Sequence, residues 1–260
     1  MPQQQFAQNV VKKIKTDPQV IALAVGGSWL TNELDKYSDL DLVLVTEEKI
    51  SNDKEKMLNY ARSFGNFLSG FTGEHVGEPR VLICLYDTPL LHVDIKFLTL
   101  EEVGTRIETP VILHDTRGQL QNALNNSRAV FPYPDYQWIE DRFWIWIHYA
   151  VLKIGRGEYF EAIDGLSFLR QVVLGPLYHI KNRLLPRGVR KMEMQLPVAD
   201  IDALKKTVAG YDRESLFNAL ENSMAIYEKL RSDLFDKKVR LQKATEHKVK
   251  QYLVEIKQKV

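Results

Sequence analysis

The chain has 260 residues and a nearly balanced charge: 35 lysines and arginines stand against 34 aspartates and glutamates, which gives a formal net charge of +1. A protein that binds nucleic acid through its phosphates needs a broad basic surface, so this balance does not favour a nucleic-acid partner. Hydrophobic residues make up 45% of the chain. That content suffices for the core of one large or two modest domains.

Two further features bear on where the protein works. The segment from Met1 to Gln5 lacks the basic start and apolar run of a signal peptide, and no apolar stretch is long enough to span a bilayer. Cys84 is the single cysteine, so it cannot form an internal disulfide. We therefore expect a cytoplasmic protein with no membrane segment.

The first predicted elements are a helix and a strand. Phe6, Val10 and Ile14 recur at helical spacing and predict an amphipathic opening helix. The continuous apolar run from Ile21 to Val25 predicts a buried strand, because two glycines stop it at once.

The turn after this strand has the composition of a phosphate-binding turn. Gly26 and Gly27 permit a tight reversal of the backbone before Ser28. We expect residues Trp29 to Asp35 to form a short helix, whose N-terminal N–H groups attract anions. Gly27 and Ser28 are therefore the residues that we expect to grip phosphates.

Carboxylates mark the start of the next strand. Asp39 and Asp41 flank Leu40, and residues two apart in a strand point to the same side. Two such carboxylates repel each other unless a divalent cation lies between them, and magnesium prefers hard oxygen ligands. A later alternating strand carries Asp94 on its polar face. If the two strands are neighbours, Asp94 completes a metal site with Asp39 and Asp41.

The rest of the first half alternates between helix and strand. One further helix is predicted from Met57, Ala61, Phe64 and Leu68. A glycine-rich stretch from Gly65 to Gly77 overlaps the end of this helix and leads into a loop. Three more strands are predicted, at residues 80–86, 91–98 and 110–114.

The second half is helical almost without interruption. Breaks in periodicity between Gly118 and Pro134 predict a domain boundary there, so we expect domains at residues 1–117 and 118–260. A C-terminal amphipathic helix is predicted from Val249, Leu253, Ile256 and Val260. The expected fold is α/β (α+β), with a mixed sheet, followed by an all-helical bundle.

The combination of Gly27-Ser28, Asp39-x-Asp41 and the later strand residue Asp94 resembles the nucleotidyltransferase superfamily that includes DNA polymerase beta and the small antibiotic nucleotidyltransferases. The resemblance implies that a nucleoside triphosphate, ATP or another, is the co-substrate and that two Mg²⁺ ions are bound. Asp39, Asp41 and Asp94 would hold the metal.

The helical half resembles, more loosely, the C-terminal domain of aminoglycoside adenylyltransferases. The resemblance is carried by Phe143-Trp144, Tyr149, Lys153, Arg156-Gly157-Glu158, Ala162 and Arg170. It implies a helical domain that binds the acceptor and a lysine, Lys153, that reaches the triphosphate. Some relatives have an acidic base one helical turn before the lysine, where this chain has Tyr149. Asp94 and Glu140 are therefore the candidate proton acceptors, and Asp94 is preferred for its expected place beside the metal.

These patterns predict an enzyme that transfers a nucleoside monophosphate to a hydroxyl of a small, aminoglycoside-like acceptor and releases pyrophosphate. Two alternatives stay open: transfer to a protein or an RNA, and a nucleotide-binding module without turnover. The sequence does not determine the oligomeric state.

Overall fold

The computed structural model describes residues 1–259 and divides the chain into two compact units. The first unit is Met1–Pro132, and the second begins at Tyr133. Val260, which the sequence places at the end of the apolar C-terminal stripe, lies outside the described residues. Among residues 1–259, none of the helices is both long and apolar enough to cross a membrane.

The first unit is built on a mixed sheet, as the sequence predicts, but this sheet has six strands where the sequence predicts five. Its strands are β1 (Val20–Val25), β2 (Leu40–Thr46), β3 (Asn66–Gly73), β4 (Glu78–Asp87), β5 (Leu91–Leu98) and β6 (Val111–Asp115). Their spatial order is β3-β4-β5-β2-β1-β6. The β2–β5 pair is parallel and every other neighbouring pair is antiparallel. The two strands that carry the predicted acids are therefore neighbours.

Helices cover the two faces of the sheet unequally. On one face, α1 (Pro2–Ile14) and α2 (Lys54–Phe64) bury a large apolar layer through Val10, Met57 and Phe64. On the other face, the short helices α3 (Leu100–Val103) and α4 (Gln119–Asn125) pack over a smaller layer that contains Ala24 and Val45. Asp41 lies four residues before Val45 on β2, so strand alternation places the two side chains on the same face, and Asp41 is only partly buried.

Two local predictions in this unit are wrong. Residues 29–35 do not form a helix: a single 3₁₀ turn, Gly27–Trp29, is followed by turns in which the Asp35 carboxylate accepts the Tyr37 N–H at 2.8 Å. Asn32, within the predicted span, has a positive φ of 55°, which a continuous α-helix does not allow. The stretch at 65–77 contains β3 in place of a helix end and a loop, and Leu68 lies in this strand, because pairing with β4 overrides the low strand propensity of the glycines.

The second unit is helical, as predicted. Its helices are α5 (Tyr136–Arg156), α6 (Tyr159–Leu169), α7 (Gly175–Lys181), α8 (Met192–Gln195), α9 (Val198–Lys205), α10 (Arg213–Leu234) and α11 (Lys243–Gln258). A π-helical segment at Arg170–Leu174 joins α6 to α7 without a break. Aromatic residues of α5 form much of the core, where the Phe143 ring stacks on Tyr227 with ring centres 3.6 Å apart. In α11, Val249 and Leu253 are buried.

The division between the units falls later than residue 117. Helix α4 belongs to the first unit because its Leu120 and Leu124 pack in the same apolar layer as Ala24 and Val45. The breaks in periodicity near residue 118 mark the start of α4 at Gln119. The residue before this helix, Gly118, has a positive φ of 68°. The break between the units follows the proline-containing segment that ends at Pro132.

Candidate active site

The carboxylates of β2 and β5 lie opposite each other. In the parallel register of these strands Asp41 pairs with Asp94, and both line a cavity of about 180 Å³ within the first unit. Paired residues of adjacent strands point to the same face of a sheet. The cavity walls are mostly apolar, and its charged lining residues also include Lys96, Arg106 and Glu108. The sheet therefore brings two of the three predicted acids together.

The glycine turn packs directly against Asp41. The Gly26 N–H donates to the Asp41 carbonyl oxygen at 2.9 Å, and Gly27 has a left-handed φ of 61°. A Cβ at Gly27 would lie 1.9 Å from the Asp41 Oδ2 atom. Only glycine fits, both for its backbone conformation and for the space that the carboxylate needs.

Ser28 has the environment of a ligand-binding hydroxyl. Its Oγ atom is buried, and no hydrogen-bond partner for it exists within residues 1–259. A buried polar atom is normally paired, so an unpaired hydroxyl next to acidic residues points to a group that binds there. The hydroxyl fits the predicted grip on a phosphate, which stays a prediction.

Two of the three predicted metal ligands face each other, and the metal site stays a prediction. Asp39 directly precedes β2 and is partly exposed, and strand alternation places it on the side of Asp41. Across the described residues, no group of three or more His, Cys, Asp or Glu side chains is gathered closely enough to hold a metal ion. The facing pair Asp41 and Asp94, with the cradle that Gly27 leaves for Asp41, fits a hard divalent cation. The place of Asp39 in a metal site stays a prediction.

Ion pairs surround this end of the sheet. The His92 Nε2 atom lies 2.8 Å from the Asp94 Oδ1 atom, and the Lys96 Nζ atom lies 2.8 Å from the Glu78 Oε2 atom. Glu78 also binds the Arg80 guanidinium through two hydrogen bonds of 2.6 and 2.7 Å. The Arg80 bonds, with Lys96, lower the pKa of Glu78 to about 2. Glu78 thus neutralises a lysine that lines the cavity.

We expect the stability contributed by Glu78 to be lost in acid. Its folded-state pKa of about 2 lies below the ordinary value of 4.5, so the contribution is complete above about pH 4.5 and declines as the pH falls toward about 2. Between those limits the melting temperature of Glu78→Gln should fall less steeply than that of the wild type. Melting curves at a series of acidic pH values test this, and parallel slopes for the two proteins would contradict it.

Lys153 is held by acids of its own unit. Its Nζ atom lies 2.6 Å from Glu158 and 2.8 Å from Glu161, and its side chain is only 12% exposed. These bonds, the one to Glu158 first, raise the pKa of Lys153 well above its usual range. The lysine is therefore charged but already paired, and its contact with a triphosphate stays a prediction.

Glu140 lies in the core of the helical unit and is fully buried. Its carboxylate accepts the Tyr227 hydroxyl at 2.5 Å, the Arg231 guanidinium at 3.2 Å and the Gln242 N–H at 2.9 Å. Arg231 in turn pairs with Glu246 at 2.9 Å. A carboxylate with this many donors holds helices together, so the structure favours a structural role for Glu140 over the predicted role as proton acceptor.

One acidic residue of the site was not singled out from the sequence. Glu108 lies between α3 and β6, and its Oε1 atom accepts the Gly27 N–H at 2.8 Å. No local pattern indicates this contact, because Glu108 stands in an irregular segment. Only the folded sheet brings it to the turn.

Comparison with known proteins defines the class. Residues 7–76 match the family model of the nucleotidyltransferase domain, a segment that holds the Gly27-Ser28 turn, Asp39 and Asp41. Residues 7–76 of the first unit therefore match a nucleotidyltransferase domain, which indicates the class of chemistry without naming the substrate.

Two solved structures are similar at low identity. One is an aminoglycoside 6-adenyltransferase from Bacillus subtilis, 14% identical, with a TM-score of 0.40 over 96% of this chain and 97% of that chain. The other is a nucleotidyltransferase-like protein from Exiguobacterium sibiricum, 9% identical, with a TM-score of 0.35 over 97% of this chain and 88% of that chain. The comparison with curated proteins found no significant match.

Proposed function

We propose that the protein transfers a nucleoside monophosphate from ATP to a hydroxyl of a small, aminoglycoside-like acceptor and releases pyrophosphate. The observation that carries the proposal is the facing pair Asp41 and Asp94 beside the Gly27 turn, in a unit that contains a nucleotidyltransferase domain. Carboxylates in register next to a phosphate-binding turn are suited to phosphoryl chemistry.

Each residue of the turn and the strands has a role in the proposal. Asp39, Asp41 and Asp94 would hold two Mg²⁺ ions, which supply neutralisation of phosphate charge and activation of the acceptor hydroxyl. Ser28 donates its unpaired hydroxyl to an outer phosphate oxygen, and the glycines let the backbone approach closely. Asp94 takes the proton of the acceptor hydroxyl. The acceptor oxygen then forms its bond to the α-phosphorus as pyrophosphate leaves.

The charge of the cavity supports a cationic acceptor. Asp41, Asp94 and Glu108 line it together with Lys96, which is paired with Glu78, and Arg106, so the acids of the lining outnumber its cations. Opposite charges attract across a low-dielectric site more strongly than in water. An amine-bearing, hydroxylated molecule of the aminoglycoside type matches this field better than an anionic acceptor does.

Pyrophosphate release tests the proposed function. The purified protein is incubated with Mg²⁺ and ATP, GTP, CTP or UTP, with and without a panel of aminoglycosides and lincosamides. We expect release that depends on both ATP and an acceptor. If nucleotide is bound but no small molecule stimulates release, label from radioactive ATP retained on protein or RNA would identify a macromolecular acceptor instead. Binding without any transfer would contradict enzymatic function.

A further inference from the structure

Glu108 contacts the backbone of the glycine turn through its carboxylate. Its Oε1 atom accepts the Gly27 N–H at 2.8 Å across 81 residues of sequence. The residue also lines the cavity that Asp41 and Asp94 share. A carboxylate bound to a backbone N–H forms one of the stronger hydrogen bonds in proteins.

The same carboxylate explains the glycine at position 26. Gly26 has a φ of −117°, which any residue adopts, so its backbone does not require glycine. A Cβ there would instead lie 2.7 Å from the Glu108 Oε1 atom. Gly26 therefore makes room for Glu108, just as Gly27 makes room for Asp41. Both carboxylates therefore pack against the turn where its residues lack a Cβ.

We propose that Glu108 is a positioning residue that keeps the Gly26-Gly27-Ser28 turn in the conformation that binds the phosphates of the nucleotide. The inference rests on the proposed function, because it assigns the turn to phosphate binding. Glu108 occupies the Gly27 N–H and holds that residue at its left-handed φ of 61°. The Ser28 hydroxyl, which has no partner in the described part of the chain, is thereby presented to the ligand.

Removing this contact should weaken nucleotide binding without unfolding the sheet. The turn in Glu108→Ala loses its anchor and becomes ordered only when the nucleotide binds, which lowers affinity. We expect the Kd for MgATP to rise about tenfold, the size expected for loss of one charged hydrogen bond. Glu108→Gln keeps an oxygen that accepts the Gly27 N–H, so its Kd should stay near that of the wild type.

Two further variants separate positioning from general damage. Gly26→Ala places a methyl group where Glu108 lies, so it should weaken MgATP binding as Glu108→Ala does. Glu101→Gln removes an exposed acid from α3 and should leave the Kd for MgATP and the melting temperature unchanged. Calorimetric titration with MgATP gives the affinities, and the melting temperature shows that the variants are folded at the temperature used.

The outcomes distinguish this inference from the proposed function. Weaker binding in Glu108→Ala and Gly26→Ala with recovery in Glu108→Gln supports positioning. Unchanged or tighter binding in Glu108→Ala overturns it, and tighter binding would show that the carboxylate opposes the phosphates. Equal weakening in Glu108→Ala and Glu108→Gln also overturns it. If the wild type binds none of the four nucleoside triphosphates with Mg²⁺, the proposed function fails and this inference fails with it.

Discussion

Asp41→Asn is expected to abolish acceptor-dependent pyrophosphate release while the protein stays folded. Asp41 faces Asp94 across the β2–β5 pair and packs against Gly27, so it stands at the centre of the proposed metal and phosphate site. Asparagine keeps the volume of the side chain but removes its charge. Loss of one preorganised electrostatic group costs about 10²–10³-fold in rate, and we expect at least that reduction.

The matched control for this variant is Asp87→Asn. Asp87 is an exposed residue at the end of β4 in the same sheet, and it receives the same chemical change. Rates of pyrophosphate release at saturating MgATP compare the two, with melting temperatures to show that both are folded. Full activity of Asp41→Asn would contradict the site assignment. Asp39→Asn, tested in the same way, decides whether the third predicted acid belongs to the site.

The second large effect is on stability and concerns Glu140. Glu140→Ala leaves Arg231 buried with only one of its two carboxylate partners and deprives Tyr227 and the Gln242 N–H of their acceptor. Breaking a buried ion pair on one side costs about 3–5 kcal/mol in the free energy of unfolding. The corresponding fall in melting temperature is on the order of 10 °C.

Activity then separates structure from catalysis at this residue. If Glu140 is structural, the rate per folded molecule at low temperature stays close to that of the wild type. Glu193→Ala, which removes an exposed acid from α8, is the control. Its free energy of unfolding should stay within about 0.5 kcal/mol of the wild-type value. A Glu140→Ala protein that melts like the wild type but has lost turnover would instead support the sequence-based role as proton acceptor.

Periodicity and composition predict much of this fold for physical reasons. Val93, Ile95 and Phe97 alternate with polar residues, and the structure buries them on one face of β5. The apolar run that Gly26 stops is the buried strand β1. These patterns are local because strand alternation and glycine turns depend on a few adjacent residues. The pairing of β2 with β5, on which the facing of Asp41 and Asp94 depends, is confirmed.

The features that sequence reasoning missed depend on long-range contacts. Strand β3 contains two glycines in its span and becomes a strand through its pairing with β4. Helix α4 joins the first unit through the packing of Leu120. Glu108 reaches Gly27 over a separation that no motif spans. Conversely, Glu140 is a candidate proton acceptor by its side-chain type alone. Only the fold reveals that Tyr227, Arg231 and Gln242 surround its carboxylate.

The mass of the acceptor after reaction tests whether the protein transfers a nucleoside monophosphate to it. An aminoglycoside that stimulates pyrophosphate release is incubated with the protein, ATP and Mg²⁺, and the mixture is examined by mass spectrometry, with Asp41→Asn in parallel. We expect the acceptor to gain the mass of one adenosine monophosphate, less water, with the wild type and to stay unmodified with the variant. If the wild type consumes ATP but the acceptor stays unmodified, the proposed transfer to the acceptor is contradicted.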